Sequence, residues 1–158
     1  MQQYYDALMQ LTKFTDLGLR VLMYVSQSTH TRMVSITEMA QQLNVPRNHL
    51  IKVVTFLNKT GWIQATRGPG GGLRLGVDPA HLTLGLVVST LEGKQSLVDC
   101  AQPPCPLAGN CGLKGALDES LSVFYRHLDT YTLADVTPRH TGDIIVRLQQ
   151  QHLQTMTA

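Results

Sequence analysis

The stretch Arg67-Gly-Pro-Gly-Gly-Gly72 narrows the possible folds of this 158-residue chain more than any other. Four glycines and a proline in six residues cannot continue a helix or a central strand. They sit between two short runs that read as strands, Trp62-Ile-Gln-Ala-Thr66 and Leu73-Arg-Leu75. The pattern predicts a β-hairpin with a glycine-rich tip. Glycines there let the backbone approach a sugar–phosphate edge, and Arg67 and Arg74 supply charge. A nucleotide phosphate loop is the lesser reading, because the G-K-[ST] ending is missing and no helix opens directly after the glycines.

What precedes the hairpin gives it meaning. Ser35-Ile-Thr-Glu38 matches the capping-box pattern, and Ile36, Ala40 and Leu43 follow on one helical face that breaks at Asn44. Pro46 is expected at the first position of the next helix, where its missing N–H costs nothing. In that helix Leu50, Val53, Val54 and Leu57 face inward; Arg47, Asn48, His49, Lys52 and Lys59 stay outside, and Gly61 ends it. Two short helices around a tight turn form a helix-turn-helix pattern, and a hairpin directly after it is the wing of a winged-helix domain. The second helix would enter a DNA major groove N-terminus first, with Arg47, Asn48 and His49 near base edges and Lys52 near phosphates. The competing reading of these helices alone is an ordinary helical hairpin with a solvated face. Upstream, Leu11–Ser28 reads as a helix with Phe14, Leu17, Val21, Tyr24 and Val25 on its apolar face, joined onward by a short connection at His30–Met33. Asp16 lies in its first turn, where a carboxylate suits the helix dipole.

Downstream, Asp78-Pro79 opens a helical region carrying Leu84, Val87, Val88 and Leu91 and ending at Glu92-Gly93. All three cysteines, Cys100, Cys105 and Cys111, then fall within twelve residues of a loop stiffened by proline and glycine. Thiols at such spacing suit one soft-metal centre: zinc, copper(I) or an iron–sulfur cluster. The C-x2-C pairs common in zinc sites are absent. A helix is expected from Leu113 to Tyr131 with the stripe Leu113, Leu117, Leu121, Phe124, Leu128 and Tyr131, and a weaker one over Asp143–Leu153. The stripe needs a partner surface, and we assign it to a homodimer interface, since winged-helix regulators read two half-sites. Packing within the chain is the alternative.

The fold class is therefore mainly α with a small β-hairpin wing. We divide it into a winged helix-turn-helix domain over 9–93, a cluster-binding loop over 94–112 and a dimerisation helix with its tail over 113–158. Residues 1–75 carry eight Lys/Arg against three Asp/Glu, and 76–158 carry five against eight. A basic front half is the footprint of polyanion binding. No apolar run approaches the ~20 residues of a membrane span, and no secretion signal opens the chain, so a reducing cytoplasm is expected, with Met9 as a possible start. His30, His49, His81, His127, His140 and His152 are scattered, and no nucleophile–base constellation supports an enzyme.

Four segments in this order resemble one family: Leu11-Thr-Lys-Phe-Thr-Asp-Leu-Gly-Leu-Arg20, the wing Arg67–Leu75, Leu91-Glu-Gly93 and the three-cysteine loop. They are similar to the winged-helix iron–sulfur regulators that include IscR and NsrR, from Met9 to the end of the long helix. Tyr131-Thr-Leu-Ala-Asp-Val136 is similar to the tail of the nitric-oxide-sensing NsrR branch. IscR-type proteins place a histidine ligand three residues after the last cysteine; here that residue is Lys114. The resemblance to NsrR implies that Asp16, given by the other subunit, is the fourth ligand. On chemistry alone, three thiolates leave a cluster one ligand short, and a hard carboxylate would make a labile corner. The resemblance further implies one cluster per subunit, 4Fe–4S in preference to 2Fe–2S. The function it implies is a homodimeric repressor that holds operator DNA in its iron–sulfur form and releases it when nitric oxide attacks the cluster. The alternative is a zinc- or thiol-based redox-sensing winged-helix regulator.

Overall fold

The computed structural model describes residues 10–28, 32–93 and 96–157; Met9 and His30 lie outside the described residues. Helix α1 spans Lys13–Ser26 and is capped by Thr12, whose hydroxyl accepts from the Thr15 N–H at 3.2 Å. Leu17, Val21, Leu22, Tyr24 and Val25 bury one side of it. Helices α2 (Ile36–Gln42) and α3 (Arg47–Lys59) form the helix-turn-helix. The turn between them is made by Asn44, which adopts a positive φ of 51°, a conformation asparagine tolerates better than most residues. Leu50, Val53, Val54 and Leu57 turn inward from α3 as their spacing requires. Gly61, at φ 79°, stops α3.

Strands β1 (Ile63–Thr66) and β2 (Gly72–Leu75) pair antiparallel, with Gln64 opposite Arg74. Val34 adds a short third rung, exchanging hydrogen bonds of 3.0 and 2.8 Å with Leu73. Helix α4 covers Leu84–Glu92 and ends at Gly93. Helix α5 covers Gly112–Leu128, α6 is the single turn Leu133–Val136, and α7 covers Arg139–Thr157. This is the mainly helical, winged architecture that the spacing predicts.

Several expectations are corrected. Pro46 is the N-cap of α3, one residue before the expected position, because its extended ψ of 128° lies outside the helix. Asp78-Pro79 makes a turn, and α4 starts only at Leu84. The Ser35–Glu38 box is half formed: Ser35 accepts from the Glu38 N–H at 3.0 Å, but the Glu38 carboxylate turns inward to Tyr24 and Arg32. A complete capping box forms instead at Thr132 and Asp135. There the bonds from the Thr132 N–H and hydroxyl hold the Asp135 carboxyl below its usual range. The long helix stops at Leu128, short of Tyr131. Asp129 leaves it and sends its carboxylate to the start of α4, accepting from the Thr83 hydroxyl at 2.6 Å and the Leu86 N–H at 3.0 Å. The α4 and α5 backbones meet closely at Gly85, where a Cβ would lie 2.3 Å from the Tyr125 carbonyl oxygen.

The final helix is longer than its weak pattern suggested. It docks on α2 and on the end of α1. Gln149 donates to the Tyr24 carbonyl at 2.9 Å, and Ile145, Gln149 and His152 are buried there. Polar residues on the buried face hide the apolar periodicity that would have announced it.

Candidate nucleic-acid interface and cysteine loop

The outer face of α3 is built by subtraction: once four aliphatic side chains are buried, Arg47, Asn48, His49 and Lys52 are all left exposed. The wing is held along both edges of its sheet, on one side by this helix and on the other by the segment before α2. Asn58, near the end of α3, accepts from the Ala65 N–H at 3.1 Å, and the Val34 rung holds the opposite edge. At the tip, the Gly71 N–H donates to the Gly68 carbonyl at 2.9 Å. Pro69 then Gly70 at φ 77° occupy the central positions of that turn, the arrangement of a type II turn. Gly71 is required for a separate reason: a Cβ there would sit 2.3 Å from the Thr66 carbonyl oxygen. Arg67 is exposed at the base of the tip, while Arg74 donates across the strands to Gln64 at 2.9 Å. The glycines thus serve the turn's own geometry as well as any approach to DNA. Gly71→Ala is expected to open the tip and remove wing contacts worth about 1.4 kcal/mol, a tenfold loss of affinity. Fluorescence anisotropy with duplex DNA measures this; a melting temperature within a few degrees of the parent shows that the damage stays local.

The cysteine loop is tied at both ends. Ser96 donates to Asp118 on α5 at 2.8 Å, and Asp118 also binds Lys114. Those two bonds, Lys114 first, hold the Asp118 carboxyl below its usual range. Lys114 is held above its usual value chiefly by its bond to Asp118, against desolvation, with the Asp118 charge adding to the effect. Within the loop the Cys105 N–H donates to the Cys100 carbonyl and the Ala108 N–H to the Cys105 carbonyl, both at 3.0 Å. Cys111 is the N-cap residue of α5. All three thiols are free and partly shielded.

As a donor set they fit a soft cluster in type and in number. In arrangement they are still apart: among the described residues no three His, Cys, Asp or Glu side chains gather around a common point. Asp16 stands away on α1, half exposed and paired with Arg20 at 2.9 Å.

A family model for iron-dependent transcriptional regulators, Rrf2, matches residues 11–139. This chain belongs to the Rrf2 family. Its fold is shared with CymR (YrzC), described as the global cysteine regulator of B. subtilis, at 25% identity and a TM-score of 0.67, over 82% of this chain and 96% of that one. The oxidised form of Staphylococcus aureus CymR matches at 22% identity and a TM-score of 0.65, over 82% and 97% of the two chains. IscR of T. potens matches at 20% and 0.65, over 81% and 85%. The Rrf2 family is one of transcriptional regulators, and among the described residues no helix is long and apolar enough to cross a membrane.

Some features of this Rrf2 chain escape its sequence pattern. Ile51 and Thr55 share the exposed face of α3 with the polar residues. Ile51 looks like core by residue type, and only its angular distance from Leu50, Val53, Val54 and Leu57 could have placed it outside. The Ser96–Asp118–Lys114 tie crosses 22 residues of loop and leaves no signal in spacing.

Proposed function

We propose that this Rrf2 regulator is a nitric-oxide-sensing repressor that binds operator DNA as a homodimer when it carries an iron–sulfur cluster, 4Fe–4S in preference to 2Fe–2S. Cys100, Cys105 and Cys111 would hold the cluster, with Asp16 of the partner subunit completing the set. When bound, the cluster supplies iron that nitric oxide can attack. Arg47, Asn48, His49 and Lys52 of α3, with Arg67 and Arg74 of the wing, would meet the DNA. The observation that carries this reading is the loop itself: three free thiols immediately before α5, with Lys114 where a histidine ligand would stand.

The chain holds a mechanical path from that loop to α3. Glu92, at the end of α4 just before the loop, accepts from the Thr12 N–H at 2.7 Å, which ties the loop's origin to the start of α1. Phe14, the second residue of α1, meets Phe56 of α3 edge-on with ring centroids 5.5 Å apart. Asp16 lies two residues beyond Phe14, so a pull on its carboxylate, or its release to Arg20, bears on the α1–α3 contact. Regulation requires that ligation stabilise the DNA-competent pose more than the released one. The dimer surface in this reading is the outer face of α5, where Leu113, Val123 and Phe124 are exposed and Leu121 is the buried residue of the helix.

The test is the visible spectrum of anaerobically purified protein, with iron and sulfide assayed on the same sample, before and after nitric oxide. Brown protein whose absorbance changes with nitric oxide and whose operator affinity falls supports the reading; colourless protein holding zinc overturns it. Asp16→Ala that leaves both the spectrum and the nitric oxide response unchanged removes Asp16 from the ligand set. The second reading is a zinc or thiol redox regulator; its thiol form is favoured by three free, partly shielded thiols that do not converge among the described residues.

A further inference from the structure

The exposed face of α3 is not uniformly polar. Ile51 keeps 36% of its surface open, although the rest of the helix's aliphatic side chains are turned inward. One turn later Thr55 is also exposed, and its hydroxyl donates to the Ile51 carbonyl at 2.7 Å. With its oxygen turned back onto the helix, Thr55 offers a methyl group to the outside. Residues four apart lie side by side on a helix, so Arg47, Ile51, Thr55 and Lys59 form one row: a cation at each end and an apolar centre. Asn48 and Lys52 form the adjacent row. A row of this composition suits a duplex groove better than bulk water. The end cations can reach phosphates on either side, and the apolar centre faces the base edges. Of the groups on the major-groove floor, the thymine 5-methyl is the apolar one.

We infer that Ile51 and the Thr55 methyl read a thymine 5-methyl in each operator half-site, which rests on α3 being the helix that enters the groove. The two residues are specificity determinants of a kind that charge and hydrogen-bonding inventories omit. Neither supports the core, so substitutions there leave the fold intact. Ile51→Ala removes most of the ridge. Thr55→Ser removes only the methyl and keeps the hydroxyl that bonds to the Ile51 carbonyl.

The experiment selects bound duplexes from a random pool with the intact, metal-loaded protein, then replaces each thymine of the selected site by deoxyuridine, which deletes one methyl group. The expected result is one thymine per half-site at which the parent loses about fourfold in affinity, the size of one buried methyl contact. At that position Ile51→Ala binds thymine and uracil equally, and Thr55→Ser shows a reduced difference. If uracil is tolerated at every thymine by the parent, or the loss is the same in Ile51→Ala, the inference is overturned. If the parent selects no sequence at all, the groove assignment of α3 fails and this inference falls with it. Selection with full tolerance of uracil leaves α3 in the groove and rejects the methyl reading alone.

Discussion

On the proposed reading, replacing any one of Cys100, Cys105 or Cys111 by alanine is expected to abolish iron loading and, with it, high-affinity operator binding. A loop that offers three thiolates in twelve residues has no spare soft donor. The nearest side chain at the position of a further ligand, Lys114, is committed to Asp118. Losing even an outer partner of a metal ligand costs about 10- to 100-fold in metal affinity, so losing a ligand itself should cost at least on the order of 100-fold. Iron and sulfide per chain measure the loading, and anisotropy with operator DNA measures the consequence. A second readout is independent of DNA. The thiols are free and partly shielded, so metal-free protein should take up three iodoacetamide adducts by mass spectrometry and metal-loaded protein none. A single-cysteine variant that still loads iron and sulfide to the parent's level would remove that residue from the ligand set.

The second large effect lies far from the loop. Glu38 is 3% exposed and accepts from the Tyr24 hydroxyl at 2.9 Å and from Arg32 at 2.7 Å. Arg32→Met removes the positive partner and leaves a buried carboxylate with one hydroxyl donor. Breaking a buried ion pair from one side costs about 3–5 kcal/mol, a large share of the ~5–15 kcal/mol that holds a domain folded. For a chain of this length the melting temperature should fall by about 6–20 °C. The Arg32/Glu38 double replacement by Met should recover part of that loss: Arg32 Nη1 is itself buried without a hydrogen-bond partner among the described residues, while the buried Tyr24 hydroxyl then loses its acceptor. A double variant no more stable than Arg32→Met would show that the pair does more than neutralise itself.

The same cluster sets an alkaline limit. The Tyr24 hydroxyl is pushed up from its ordinary value by burial first, then by its bond to Glu38 and that carboxylate's charge, with Arg32 pulling the other way. An acid whose folded-state value is raised stabilises the fold while both states keep the proton. Its contribution is complete below the unfolded tyrosine value of about 10 and is lost as pH rises beyond it. Tyr125, raised by burial and then by Glu92, acts in the same direction. Denaturant titrations between pH 8 and 11 should therefore show a steeper alkaline decline for the parent than for Tyr24→Phe.

What the sequence by itself determined is local. The inward row of α3, the stop at Gly61 and the hairpin from Ile63 to Leu75 follow from helical spacing and from glycines at positive φ, conditions met within a few residues of chain. The crowding of three thiols into one loop is likewise written in the order of residues. Only the tertiary structure decided where side chains with more than one use would spend themselves. Glu38 could have closed its own helix cap, yet burial beside Tyr24 and Arg32 drew its carboxylate inward. Asp129 could have extended α5, but the start of α4 lay within reach of its oxygens. Gln149 gave α7 no apolar signal, and its value appears only when the Tyr24 carbonyl, 125 residues away, is brought against it. Periodicity records which face a helix buries; it carries no record of hydrogen bonds and backbone contacts made between segments far apart in the chain.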